Sequence, residues 1–198
     1  MGFAGSMNGP SILRAALAIV SLTLVMLGCQ RRQAIEHYNR GIQHLQAMEY
    51  LQAVAEFQEA LRLRPDFPEA HNGIGYAYNQ LARYSEAIEH FQKAAEDEDY
   101  SQRHIAYLNL GTAYSNARQY DQAVAALQRS IELEPTAMAY YTLAQALTLS
   151  GAHAEALNAL EEAVRLDPER KFRAANDPIF DPLRSDPGLQ ERWKQVTQ

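Results

Sequence analysis

Apolar residues recur along most of this chain at helical spacing, in blocks that repeat. Ala53, Phe57, Ala60 and Leu61 fall on one stripe of a helix, with polar residues between them. The phrase Tyr50-Leu-Gln-Ala53 returns as Tyr84-Ser-Glu-Ala87, as Tyr120-Asp-Gln-Ala123 and more weakly as His153-Ala-Glu-Ala156. The alanines are 34, 36 and 33 residues apart. Other positions keep step with them. Gly41, Gly75, Gly111 and Ala144 stand twelve residues before, and Phe57, Phe91, Leu127 and Leu160 four after. Ala60, Ala94, Ser130 and Ala163 stand seven after, and Pro65, Asp99, Pro135 and Pro168 twelve after. Each block therefore predicts two helices joined by a short turn. The small residue on the first helix lets the second come close, and the bulky one fills the space between units. Proline ends the second helix because it cannot continue it.

This period and these positions resemble the tetratricopeptide repeat. The resemblance covers residues 34–170, with two extra residues near Ser101-Gln102. It implies an all-α fold, a right-handed solenoid of four helix-turn-helix units (34–67, 68–101, 104–136 and 137–170) with a C-terminal capping helix. The second unit departs from the pattern, with Glu96-Asp97-Glu98-Asp99 in place of a proline, and the fourth has Ala144 for glycine. The tail, 171–198, leaves the repeat. Asp177-Pro178, Asp181-Pro182 and Asp186-Pro187 read as turns and helix starts. A solenoid must cover its exposed end, so Phe172, Phe180, Leu183 and Trp193 are expected to pack on the fourth unit. Anchoring of a partner by Trp193 is the alternative.

The first 28 residues have a different pattern. Arg14 is their only charged side chain, a 13-residue apolar run from Ala15 to Leu27 follows it, and Gly28-Cys29 comes next. These are the parts of a secretory signal peptide, and the run is short for a membrane span. Met26-Leu27-Gly28-Cys29 resembles a bacterial lipobox, although Met26 stands where leucine is usual. That resemblance implies a signal peptide at 1–28, lipidation of Cys29 and a linker at 29–33 before the solenoid. Met1-Gly2 with Ser6 also fits the looser myristoylation pattern, which would leave the lipobox without a purpose.

Composition narrows the function classes. Eighteen Lys and Arg against 24 Asp and Glu give a net charge of −6, which argues against nucleic acid as a partner. A single cysteine excludes an internal disulfide framework and a cysteine-based zinc site. No phosphate-binding glycine loop, zinc-protease helix or nucleophile elbow is present. The six histidines are scattered, and His37, His71 and His44 occupy packing positions that tyrosines fill in other units. No enzyme activity, cofactor, metal or small-molecule substrate is expected, and the Glu96–Asp99 run reads as a solvated loop.

Binding remains. In the repeat family the first helix of each unit lines the concave surface, at positions three before, one after and four after the repeat glycine. The resemblance carries these onto Tyr38, Ile42 and Leu45, then Asn72, Tyr76 and Asn79, then Leu108, Thr112 and Ser115, and finally Tyr141, Gln145 and Thr148. None of the twelve is Lys or Arg, so a basic clamp for a terminal carboxylate is absent from these positions. The expectation is a groove for a protein or peptide, held by packing and neutral hydrogen bonds. With the lipobox, this implies a lipid-anchored scaffold of the bacterial envelope, similar to pilotins or assembly factors. Gln30 is not the aspartate of inner-membrane retention, so the periplasmic face of the outer membrane follows for a Gram-negative host. The alternatives are a cytoplasmic-facing scaffold on an uncleaved anchor and a non-catalytic subunit of a membrane enzyme complex.

Overall fold

The computed structural model describes residues 9–197, and no strand occurs among them. Four helix pairs follow one another: α1 (Gly9–Gln46) with α2 (Tyr50–Leu63), α3 (Pro68–Gln80) with α4 (Tyr84–Glu96), α5 (Arg103–Asn116) with α6 (Tyr120–Leu133), and α7 (Ala137–Ser150) with α8 (His153–Leu166). Each helix packs chiefly on its neighbours in sequence, as a solenoid requires. The repeat alanines Ala53, Ala87, Ala123 and Ala156 are fully buried where paired helices touch.

The repeat glycines have a steric cause. A Cβ on Gly41 would lie 2.5 Å from Phe57, one on Gly75 2.7 Å from Phe91, and one on Gly111 2.5 Å from Leu127. Gly73 was not singled out from the sequence, yet a Cβ there would lie 2.6 Å from the other side of Phe57. Phe57 therefore fills a slot between two glycines of successive units.

The turn inside each unit uses one residue with a left-handed backbone. Met48 (φ 60°), Ala82 (57°), Arg118 (60°) and Gly151 (86°) each stand five residues before the repeat alanine. Only the fourth unit places glycine there, so the other three turns carry a Cβ penalty. Ala82→Gly and Arg118→Gly are each expected to stabilise the chain by about 1 kcal/mol. Thermal melting checks this, and an unchanged midpoint would show that the turns carry no strain.

Proline follows the second helix of units one, three and four, just past C-caps at Arg64, Glu134 and Asp167. In the second unit the acidic run replaces it. Glu96, Glu98 and Asp99 are exposed, as a solvated loop requires, while Tyr100 turns inward and is buried. The Arg103 guanidinium donates to the Ala95 carbonyl at 3.1 Å and holds this longer loop to the end of α4.

Two expectations are corrected. Residues 29–33 are not a separate linker, because α1 runs unbroken from Gly9 through Cys29 into the first unit. The myristoylation pattern and residues 1–8 of the proposed signal peptide lie outside the described residues. No helix among the described residues is long and apolar enough to cross a membrane. The C-terminal cap holds the expected helix, with shorter elements before it. It comprises α9 (Arg170–Asn176), a 3-10 turn (Pro178–Phe180), α10 (Asp181–Ser185) and α11 (Gln190–Thr197). Phe180, Leu183 and Trp193 are buried against the fourth unit, with Phe180 and Trp193 ring centroids 6.1 Å apart. Phe172 instead is 56% exposed, with the Lys171 ammonium 5.1 Å from its ring. Arg192 of α11 fixes the cap to α8 through Glu161 at 2.6 Å and Asn158 at 2.8 Å.

Candidate binding face

The first helices of the units, α1, α3, α5 and α7, stand side by side, and the twelve sequence-derived positions lie on them. Their environments differ from one unit to the next. In the first unit Tyr38, Ile42 and Leu45 are half-buried and pack on the local core. The Tyr38 ring lies 5.6 Å from Phe57 and 5.1 Å from Phe67, and burial pushes its phenol pKa up. These three contribute packing as well as lining.

The second and third units hold the open part. Tyr76 is 42% exposed, and it lies between two rungs of asparagine. The Asn109 amide donates to Asn72 Oδ1 at 3.0 Å, and the Asn116 amide donates to Asn79 Oδ1 at 3.0 Å. Within each helix the two asparagines are seven residues apart, about two turns, so both rungs fall on one face. Asn109 and Asn116 were missed in the sequence, where amides seven apart on both α3 and α5 were the available signal. Leu108 packs partly on the core below, and Thr112 returns its hydroxyl to the Leu108 carbonyl at 2.9 Å. Ser115 Oγ is buried with no hydrogen-bond partner.

The fourth unit departs from the expected open groove, because the cap covers it. Tyr141 is buried, its hydroxyl donates to Asp177 Oδ2 at 3.0 Å, and its ring meets Phe180 edge-on at 5.5 Å. Gln145 Nε2 donates to the same carboxylate oxygen at 2.8 Å. Burial, then Asp177, raises the Tyr141 pKa. Thr148 is buried, and its hydroxyl serves the Ala144 carbonyl at 2.8 Å. Arg170 of α9 brings a guanidinium to 5.5 Å from the Tyr141 ring, a charge that the repeat pattern alone did not place here. Tyr141→Ala is thus expected to destabilise the chain by roughly 3 kcal/mol, as for other large buried aromatics. A melt equal to wild type would mean that Tyr141 serves only as a ligand contact.

A pair of histidines lies between the two helices of the second unit. His71 and His90 join α3 to α4, with their Nδ1 atoms 3.0 Å apart. Burial, then His90 and Lys93, brings the His71 pKa down to about 4, and burial lowers that of His90. Both are therefore neutral at pH 7, and one ring N–H donates to the other ring. The unfolded chain takes up these protons near pH 6.5, before the folded chain does. Stability is complete above that value and falls as pH drops towards 4. His71→Asn is expected to flatten this part of a melting-temperature profile. An unchanged profile would assign the acid sensitivity elsewhere, Glu56 and Glu89 being the first candidates, since hydrogen bonds from Arg40 and Lys93 lower their pKa values. Among the described residues no group of three or more His, Cys, Asp or Glu is placed to hold a metal ion.

Comparison with known proteins agrees with this architecture. The tetratricopeptide repeat family model matches residues 38–101 and 108–171. Superkiller protein 3 of Schizosaccharomyces pombe is 29% identical over 140 residues, which is 66% of this chain and 10% of that protein. Across the curated relatives matched, this chain spans from 6% to 27% of their length. The crystal structure of PilW, titled a widely conserved type IV pilus biogenesis factor, is similar at a TM-score of 0.70 and 22% identity. It covers 96% of this chain and 91% of its own. YrrB, titled a tetratricopeptide repeat protein with an unusual peptide-binding site, is similar at 0.64 and 23% identity over 82% of this chain and 84% of its own. MamA from Desulfovibrio magneticus RS-1 is similar at 0.67 and 21% identity over 83% of this chain and 93% of its own.

Proposed function

Because the chain belongs to the tetratricopeptide repeat family, we propose that it is a membrane-anchored scaffold that recruits a protein or peptide to the concave face of its first three units. The observation that carries this reading is the face of α3 and α5, where exposed Tyr76 stands between two asparagine rungs. An exposed aromatic among oriented amides supplies an anchor and directional hydrogen bonds to an extended chain. The cap removes the fourth unit from the binding surface.

The anchor is proposed to be lipid on Cys29, after removal of residues 1–28. Cys29 is exposed, and the first fully buried residue of the solenoid is Ala34. Ala34 is five helical positions after Cys29, a rise of roughly 8 Å. The first unit would then be held directly at the headgroups, with no slack. Similarity to PilW in fold suits a role in envelope assembly, pilotin-like or assembly-factor-like, at the periplasmic face of the outer membrane.

Two results test the proposal. Cys29→Ser should abolish lipid labelling and release the chain from membranes, and unchanged labelling would reject the anchor. Capture from crosslinked membranes should lose its main partner with Tyr76→Ala, while the melt stays within about 0.5 kcal/mol of wild type, as at exposed sites generally. Identical recoveries would move the binding surface off α3.

A further inference from the structure

The concave face is not neutral throughout. One turn before the first expected position of each unit, six residues before the repeat glycine or its alanine, stand Ile35, Glu69, Ile105 and Met138. Three units place an apolar side chain there, and the second places a carboxylate. Counted with the other twelve positions, Glu69 is the only Asp, Glu, Lys or Arg. It comes seven residues before exposed Tyr76, so the two share one stripe of α3.

Glu69 lacks a countercharge. Its Oε2 is buried with no hydrogen-bond partner, while the residue as a whole stays partly exposed. Among the described residues no cation forms an ion pair with it. Arg64 is engaged over the Phe67 ring at 4.4 Å, and Arg103 donates to the Ala95 carbonyl. The groups that feel its charge are phenols. After burial, Glu69 raises the pKa of Tyr38 and helps to push that of Tyr100 up to about 12. Both phenols are uncharged at pH 7 and balance nothing.

The dipole of α3 favours an anion in its first turn, which explains an acidic residue there. It does not explain a buried oxygen without a bond. Glu86 and Glu155 stand in the first turns of α4 and α8, where one pairs with Arg83 and the other is exposed. A buried acceptor left unpaired is unfavourable, and a cationic donor beside this carboxylate relieves it.

We propose, resting on the scaffold reading above, that Glu69 receives a lysine or arginine side chain of the partner segment. This is the one charged contact in an otherwise neutral groove, and it names the chemistry of the ligand. Asn72, one turn on, accepts from Asn109, so Asn109 Oδ1 remains an acceptor for a second N–H of the incoming cation. The Tyr38 and Tyr76 rings border the site and suit the apolar stem of such a side chain. The net charge of −6 favours the approach of a basic partner.

The probe is a fluorescein-labelled peptide, Tyr-Ala-Ala-Arg-Ala-Ala-Tyr, titrated into the full chain in detergent and followed by anisotropy. Glu69 and Tyr76 are about 10 Å apart along α3, which three residues of extended chain span. A tyrosine on each side of the arginine serves either chain direction. Saturable binding is expected, about tenfold weaker when citrulline, an uncharged equivalent of arginine, takes its place. Glu69→Gln should weaken the arginine peptide by the same factor and leave the citrulline peptide unchanged.

Equal binding of the two peptides to wild type, or no binding of the arginine peptide, overturns the proposal. So does a Glu69→Gln variant that still binds the arginine peptide as wild type does, since the cation then sits elsewhere. A loss shared equally by both peptides reports a fold defect at Glu69 and overturns it too. If the two peptides bind alike and both depend on Tyr76, the ligand class falls and the scaffold reading stands. Capture of the native partner that no longer depends on Tyr76 removes the scaffold reading itself.

Discussion

Replacing Ala87 by arginine is expected to unfold the second unit. Ala87 is fully buried where α4 meets α3, and the site has room for one methyl group. An arginine there must either bury an unpaired guanidinium or force the two helices apart. Each outcome is among the most damaging single changes, at about 4 kcal/mol or more. Whole domains are stable by about 5–15 kcal/mol, so this is a large share of the total. Units in a solenoid are stabilised by their neighbours, so loss of the second unit also removes support from the first and third. Circular dichroism should show a large fall in melting temperature, with loss of helix at 25 °C in the severe case. A midpoint within two degrees of wild type would contradict the helix register.

The second large effect is expected at Phe57. Its ring is fully buried between Gly41 and Gly73, and Tyr38 lies against it. Phe57→Ala leaves a cavity that two glycines cannot line, because they have no side chains to move into it. The expected loss is about 3–5 kcal/mol. Leu51→Ala is the contrast, because Leu51 is 61% exposed and should cost less than about 0.5 kcal/mol. Denaturant melts of the two variants test the slot directly. Equal midpoints would mean that Phe57 is no more buried than Leu51.

The all-helical solenoid was legible in the sequence because its cause is local and repeated. A helix pair cannot close without a small residue opposite a large one, so Gly41, Gly75 and Gly111 recur in register with Phe57, Phe91 and Leu127. Gly73 escaped notice because its contact is between units, and alignment within units does not reveal it. The strained turns at Met48, Ala82 and Arg118 escaped because three different side chains occupy one backbone position.

The candidate face was harder to read. Register places Tyr76 and Tyr141 on equivalent surfaces, but exposure depends on what the non-repeating tail covers. Asp177-Pro178 reads as a turn, and only the folded chain brings it to Tyr141 and Gln145. Phe172 was expected to pack for the same reason as Phe180, yet α9 presents it to solvent. The asparagine rungs need two helices in a particular alignment, which one-dimensional spacing does not supply.

The most direct test of a recruiting concave face is site-specific photo-crosslinking in native membranes. One photoreactive residue replaces Tyr76 on the concave face, and another replaces Glu89 on the exposed side of α4. One protein should crosslink at position 76 and be absent at position 89. The same products at both positions, or products at 89 alone, would contradict it.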